Sequence, residues 1–486
     1  MAEESHTPRP VQVFLDTRRF IDHVDPRRFS GGHRDFFEGN DEGFAAQKAR
    51  IRSRLQSVAS TMRIRREPAG FVHVQMREDA FGKSYRPIGS LFTDRHGSGL
   101  VGAGRIGEMI FQVTPQAMEE LDQLVEERAE LTVRQVRSAR SGEIEKRVSG
   151  YRSEVGAIAE VNLHDSADRI GFSADDALAW LQQPNTIGGY LVELFRPVSG
   201  QAPQAIRHLV SEFRRALERL PTGVRARPFL PSQHAEHFGE PILALSIQLV
   251  RDADRKDITL PFLTTGEPMT AVTERPSHTL AEPDLRASSH QALLGMLSEQ
   301  TLVRSVELPP LVEAAPATGA PHAGRSHIPR PVAGVGYPVV GIIDGGVADI
   351  SELSVWRAGD AGIVPPADRD ESHGTFIAGL IVAGGALNPQ LAPHFERQGC
   401  KFFDLDLFPR KDLRQSYYGG DIDYFFDLLD EKIKVAKRDS NVRVFNLSFG
   451  LRVPNAQFGY TVVTDRLDRL ARANDVILAH VSLLHT

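Results

Sequence analysis

The chain has a single cysteine, Cys400, among 486 residues. One thiol excludes an intrachain disulfide and a thiolate metal cluster, and it suits a reducing compartment. Long apolar runs are also missing. No uncharged stretch approaches the roughly 20 residues needed to span a bilayer, and the opening MAEESHTPRPVQ lacks the basic-then-apolar pattern of a secretory leader. The expectation is a cytoplasmic protein without a membrane partner. Charge of one sign is scarce: 57 basic against 63 acidic side chains leave a net charge of −6, too little to gather nucleic acid or an anionic membrane by the overall field. The most basic stretch holds Lys48, Arg50, Arg52, Arg54, Arg63, Arg65 and Arg66 but no interleaved aromatics, so a solvated helix face is expected and no nucleic acid. No cofactor and no metal is expected from the motifs.

What is present is enough apolar residue, 41%, for at least two cores, since one core stops growing at about 250 to 300 residues. Residues 1–311 alternate short strand-like runs with amphipathic helices, which predicts an α+β region of one or two subdomains. His73 and Gln75 alternate with Val72, Val74 and Met76 as a half-buried strand, and Glu108 to Val113 predicts another. Thr114-Pro115 opens a helix, because threonine caps it and proline loses nothing at the first helical position. Ser173 to Asp176 has the spacing of a capping box. Strands are expected at Gly188 to Phe195, Ile242 to Val250 and Val303 to Leu308. Helices are expected through Ile206, Leu209, Phe213, Leu217 and Leu220 and over Ala292 to Gln300. Residues 312–334 turn to alanine, proline and glycine, which predicts a mobile linker. A second globular region, 335–486, follows.

That region opens with Tyr337 to Val347, a β-branched run ending in Asp344 and two glycines, the pattern of a strand buried on both faces. Sites in open parallel sheets lie at the C-terminal ends of strands, so Asp344 is a candidate, although an aspartate there can also simply turn the chain. His373 stands 29 positions later among Gly374, Thr375, Ala378 and Gly379, at the predicted start of a helix. Small neighbours let another backbone approach closely, which a packed core histidine does not require. A helix over Asp421 to Asp439 then leads into a buried strand ending Asn446-Leu447-Ser448-Phe449-Gly450, half of a βαβ unit.

In order, spacing and local residue choice, VVGIIDGGV, HGTFIAGLI and VFNLSFG together resemble the subtilisin-like serine proteases. The resemblance implies a doubly wound parallel sheet and peptide-bond hydrolysis. Asp344 would orient and support His373, and His373 would be general base to a serine. Asn446, Leu447, Ser448, Phe449 and Gly450 would line the substrate cleft, so Ser448 is a wall residue and no nucleophile. A protein or peptide substrate follows. The helix and strand before the linker are similar to the end of a propeptide in this family; an ordinary helix–strand pair is the alternative. The arrangement is also similar to bacterial anti-phage subtilases that work beside a separate AAA-type ATPase.

The likeness has a limit. After a helix through Leu467, Leu470 and Ala471 and a strand over Asp475 to Ser482, LLHT stands where the oxyanion asparagine's turn is expected. The G-T-S-x-A-x-P helix start is not found. The expectation is an incomplete, inactive catalytic domain with an uncovered sheet edge, either truncated or frame-disrupted, or else a non-catalytic protein-binding module on the same sheet.

Two further patterns carry less. Gly102 to Gly107 matches G-x-G-x-x-G but precedes a strand, which argues against a dinucleotide site. Asp404 and Asp406 have the spacing of a phosphatase aspartate pair, a reading that would leave Asp344 and His373 unexplained.

Overall fold

The computed structural model describes residues 33–82, 85–137, 144–184, 186–198, 200–229, 242–260, 282–314, 328–387, 399–418, 421–447, 449–452 and 461–480. Ser448 and LLHT lie outside them, as does the opening segment. Three main sheets follow one another along the chain, two dominated by antiparallel pairing and one wholly parallel.

The first layer runs through α1 (Asp41–Arg65), β1 (Gly70–Met76), β2 (Gly99–Ala103), β3 (Glu108–Val113) and α2 (Pro115–Arg128). It continues with a hairpin of β4 (Arg134–Arg137) and β5 (Ile144–Arg147), then α3 (Gly150–Ala157), β6 (Ile158–Leu163), α4 (Ser166–Arg169) and α5 (Ala174–Leu181). Its sheet has the antiparallel order β2-β3-β1-β6. Helix α1 buries Phe44, Ile51, Leu55 and Met62 against it and α2. Thr114 caps α2 by accepting from the Ala117 amide, with Pro115 in the first turn, and Ser173 caps α5 with a capping box to Asp176. The basic side chains of α1 are spent locally: Arg50 and Arg54 pair with Glu160, Arg52 with Asp122 and Glu126, and Arg63 with Glu119. The Gly102 to Gly107 stretch is the end of β2 and the turn into β3, with Gly107 at φ +79°, a left-handed conformation that favours glycine.

The second layer comprises β7 (Tyr190–Leu194), α6 (Pro203–Glu218), β8 (Gly223–Pro228), β9 (Ala244–Val250), β10 (Lys256–Ile258), α7 (Ala287–Glu299) and β11 (Val303–Glu307), and ends in β12 (Leu311–Ala314). Apart from the short β10, its order β8-β9-β7-β11 with two crossover helices is a split βαββαβ unit. Apolar residues at three- and four-residue steps place Ile206, Leu209, Phe213 and Leu217 of α6 on its core.

The third layer comprises β13 (Val339–Asp344), α8 (Ser351–Ser354), β14 (Arg357–Asp360), α9 (Glu371–Leu387), β15 (Lys401–Asp406), α10 (Arg414–Tyr418), α11 (Ile422–Ser440), β16 (Val444–Leu447), β17 (Phe449–Arg452), α12 (Val462–Asn474) and β18 (Ile477–His480). Its sheet is parallel throughout, in the order β14-β15-β13-β16-β18. One face packs Ile342 and Phe402 against α8 and α9; the other packs Ile343, Phe403 and Phe445 against α11 and α12. Helices therefore cover both faces, as the run of β-branched residues in β13 requires. Strand β18 lies at the sheet's edge, with Ile477 64% exposed.

Of the expected linker 312–334, residues 315–327 lie outside the described residues. Residues 312–314 complete β12, which pairs antiparallel with β17, Leu311 opposite Arg452 and Ala314 opposite Phe449. Ile328 packs beside Trp356, whose indole donates to the Pro329 carbonyl at 2.7 Å. Backbone hydrogen bonds thus hold one end of the stretch and an indole anchor the other.

The second and third layers share a core. Ile187, Leu191, Phe229 and Ala244 cluster with Phe425, Phe426 and Leu429 of α11 and Val462 and Val463 of α12. The Phe229 and Phe426 rings meet edge to face at 5.8 Å, and Arg225 is 3.2 Å from Asp421.

Candidate active site

Parallel pairing fixes where the chemistry collects. Val339 to Asp344 of β13 align residue for residue with Lys401 to Asp406 of β15, so Asp344 and Asp406 emerge side by side at the C-terminal edge. On the other side Leu447 of β16 lies opposite Ile343, one residue short of Asp344. Helix α9 brings His373 to the same edge from its first turn.

Asp344 and His373 meet there. His373 Nδ1 is 2.7 Å from Asp344 Oδ2, across 29 residues of chain. Both are buried, at 4% and 9% exposure. The second carboxylate oxygen of Asp344 accepts from the Gly345 amide at 2.6 Å. The hydrogen bond that His373 donates to Asp344 raises the His373 pKa above its ordinary value; burial opposes this, and the charges of Asp344 and Asp370 add to it. An imidazole held through Nδ1 keeps Nε2 away from the carboxylate, and Nε2 bonds to no described residue. Phe376, half exposed, lies beside the ring at 6.5 Å between centroids.

Of the two glycines expected to admit a close approach, Gly374 has a steric cause, while Gly379 has nothing within 4 Å. A Cβ on Gly374 would stand 2.2 Å from the Gly346 carbonyl oxygen and 3.3 Å from the Asp344 Cβ, so only glycine lets the helix start reach the strand-tip loop. Gly346 itself has φ +105°. The loop is pinned from two sides: Asp404 Oδ2 accepts from the Val347 amide at 3.0 Å, and Thr375 Oγ1 accepts from the Ala348 amide at 2.9 Å.

Asp404 and Asp406 thus sit beneath the site without forming a second one. Burial pushes Asp404 up to about 7, and its Oδ1 is buried with no hydrogen-bond partner. Asp406 is also shifted upward by burial, against the pull of Arg369, with which it forms an ion pair. The motif reading missed this bracing. The D-x-D spacing on an apolar run marked two same-face carboxylates; in the fold Asp404 holds the loop after Asp344, while Asp406 accepts from the Val364 amide and pairs with Arg369.

The five residues expected along a cleft divide. Asn446 and Leu447 are ladder residues of β16, paired to β13 and β18. Phe449 and Gly450 begin β17 and pair with Ala314 and Glu313, so an extended segment of the chain already lies along this stretch. Ser448 lies outside the described residues.

Comparison of the chain with family models, with curated proteins and with solved structures returned no match. What stands is therefore structural: a mixed α/β protein whose parallel sheet carries a buried Asp–His pair at its C-terminal edge. No helix among the described residues is long and apolar enough to cross a membrane.

Proposed function

We propose that residues 328–480 carry the Asp–His half of a subtilisin-type serine endopeptidase site, with Asp344 positioning His373 as general base toward a serine. The observation that carries this reading is the 2.7 Å contact between His373 Nδ1 and Asp344 Oδ2 at the C-terminal edge of a parallel sheet. In such a pair the carboxylate fixes the tautomer and supports the imidazolium that forms when His373 takes the hydroxyl proton; on collapse His373 returns that proton to the leaving amine. The order along the chain, aspartate then histidine, is the subtilisin order. In that order the serine and the oxyanion donor would come after His373 along the chain.

The β12–β17 pairing supports a substrate groove along Phe449 to Arg452, because extended peptides bind sheet edges through main-chain hydrogen bonds. It also supports reading residues 190–314 as an inhibitory pro-region: the split βαββαβ layer rests on α11 and α12, and its last strand occupies the groove. The same observation favours a second reading, a peptide-binding module without catalysis. An AAA-type ATPase as a separate partner rests on the family resemblance alone.

Both readings separate in one experiment. The 486 residues alone should not react with a fluorophosphonate. Chain extended through the reading frames beyond Thr486 should supply G-T-S-x-A-x-P and become labelled and proteolytic, and Asp344→Asn should lower turnover by about 10⁴-fold. Labelling of the extended chain that ignores both Asp344→Asn and His373→Ala would overturn the protease reading, and the absence of any such serine would leave the binding module.

A further inference from the structure

A second histidine–carboxylate cluster lies in the first layer, remote in sequence from the Asp344 site and unused by the protease reading. His73 sits in the middle of β1. His164 follows β6, its amide donating to the Phe71 carbonyl at 2.8 Å, so that it extends the β1–β6 ladder. The two imidazoles stack 8° from parallel with centroids 4.9 Å apart, and His73 Nε2 lies 2.6 Å from His164 Nδ1. Behind His73, Glu108 Oε1 is 2.7 Å from Nδ1. Beside His164, Asp168 Oδ2 of α4 is 3.8 Å from Nδ1. His164 is 4% exposed, and its Nε2 is buried with no hydrogen-bond partner among the described residues.

The geometry makes this more than a packed pair. Glu108 accepts from His73 Nδ1, which turns His73 Nε2 toward His164 Nδ1. Asp168 Oδ2 approaches the same His164 nitrogen, so two ring nitrogens and a carboxylate oxygen converge, a donor set that suits a cation.

We propose that His73, His164 and Asp168 bind one divalent transition-metal ion, with zinc the best match to two imidazoles and a carboxylate. The three ligand atoms lie within 4.8 Å of one another. Metal–ligand bonds of about 2.0–2.2 Å place tetrahedral ligand atoms roughly 3.3 Å apart, so small ring rotations open the histidine pair and draw Asp168 inward. Asp168 Oδ2 accepts from the Asp165 amide, and a carboxylate has a second oxygen for that cap or for the metal. Glu108 supplies the outer acceptor that orients a metal-bound histidine. Asp168 is 45% exposed on its side chain, which gives the ion an entry path. The ion would tie α4 to the first sheet, and the neighbouring Arg169 links that helix to the second layer by donating to the Val303 and Ser298 carbonyls.

The test uses the purified 486-residue chain, stripped with chelator and titrated with Co²⁺ and then Zn²⁺. The site predicts saturable uptake of one equivalent, a visible d–d absorption band from cobalt that zinc abolishes, and a raised unfolding midpoint with zinc. His73→Gln should remove the band. Glu108→Gln should weaken affinity by about 10- to 100-fold. If His73→Gln fails to fold, Asp168→Asn, at an exposed position where asparagine can still cap, carries the comparison and should weaken cobalt binding. Folded wild-type chain that takes up no cobalt, or binds it unchanged after Asp168→Asn, overturns the proposal and leaves a Glu108–His73–His164 hydrogen-bonded relay.

Discussion

The parallel sheet of the third layer and the antiparallel sheet of the first both set a histidine against a carboxylate, yet they assemble the pair differently. In the parallel sheet every strand ends on the same side, so Asp344 and Asp406 arrive together and α9 needs only to begin nearby to deliver His373. In the antiparallel sheet His73 faces outward from mid-strand, and its partners come from β3, from the residue after β6 and from α4. The first kind of site is built by strand ends and close backbone approach. The second is built by register, which a single sequence does not display.

The largest break in this contrast should come from the core that the second and third layers share. Phe426→Ala removes a fully buried ring packed against Phe229 and should cost about 3–5 kcal/mol in urea unfolding, loosening the docked second layer along with the parallel sheet. An equal loss in a chain lacking residues 1–314 would show that the layers do not share this core.

Next in size is Gly374→Ala. Its Cβ would meet a carbonyl oxygen rather than a flexible side chain, so about 1–3 kcal/mol and a lengthened Asp344–His373 contact are expected, with cobalt binding at His73 unchanged. A neutral effect on both stability and the His373 resonance would show that the close approach is dispensable.

The smallest effect sharpens the boundary between layers. Burial first, and then the charge of Glu193, push Glu307 up to about 7, while the Val462 amide at the head of α12 pulls the other way. A carboxyl raised in the folded state contributes stability that is present below its unfolded value near 4.5 and is lost as pH rises through about 7. Stability measured from pH 5 to 8 should therefore fall more steeply in the wild type than in Glu307→Gln. Parallel curves for the two would remove Glu307 from the interface energetics.

How far the fold could be read in advance follows from the same contrast. The α2 cap at Thr114-Pro115, the capping box at Ser173 and the apolar stripe of α6 were legible because each is local and periodic. So were the buried β13 run and the glycine beside His373, whose role is steric and leaves a compositional trace. The β12 strand was hidden, since four residues at the head of an Ala-Pro-Gly stretch carry almost no pattern and gain their order from β17, more than 130 positions away. The bracing by Asp404 and the His73–His164 contact were hidden for the same reason: their partners are adjacent only after the sheets have formed.

The central claim is that Asp344 and His373 share a proton at the strand tip, and it is tested most directly by titrating His373 through its NMR resonances in the wild type and in Asp344→Asn. A hydrogen bond to the carboxylate stabilises the imidazolium, so the wild-type pKa should lie above the ordinary 6.5 and fall in the variant. Its contribution to stability should be complete below 6.5 and lost as pH rises through the folded value. A His373 that titrates at or below 6.5 and ignores the substitution would contradict the account.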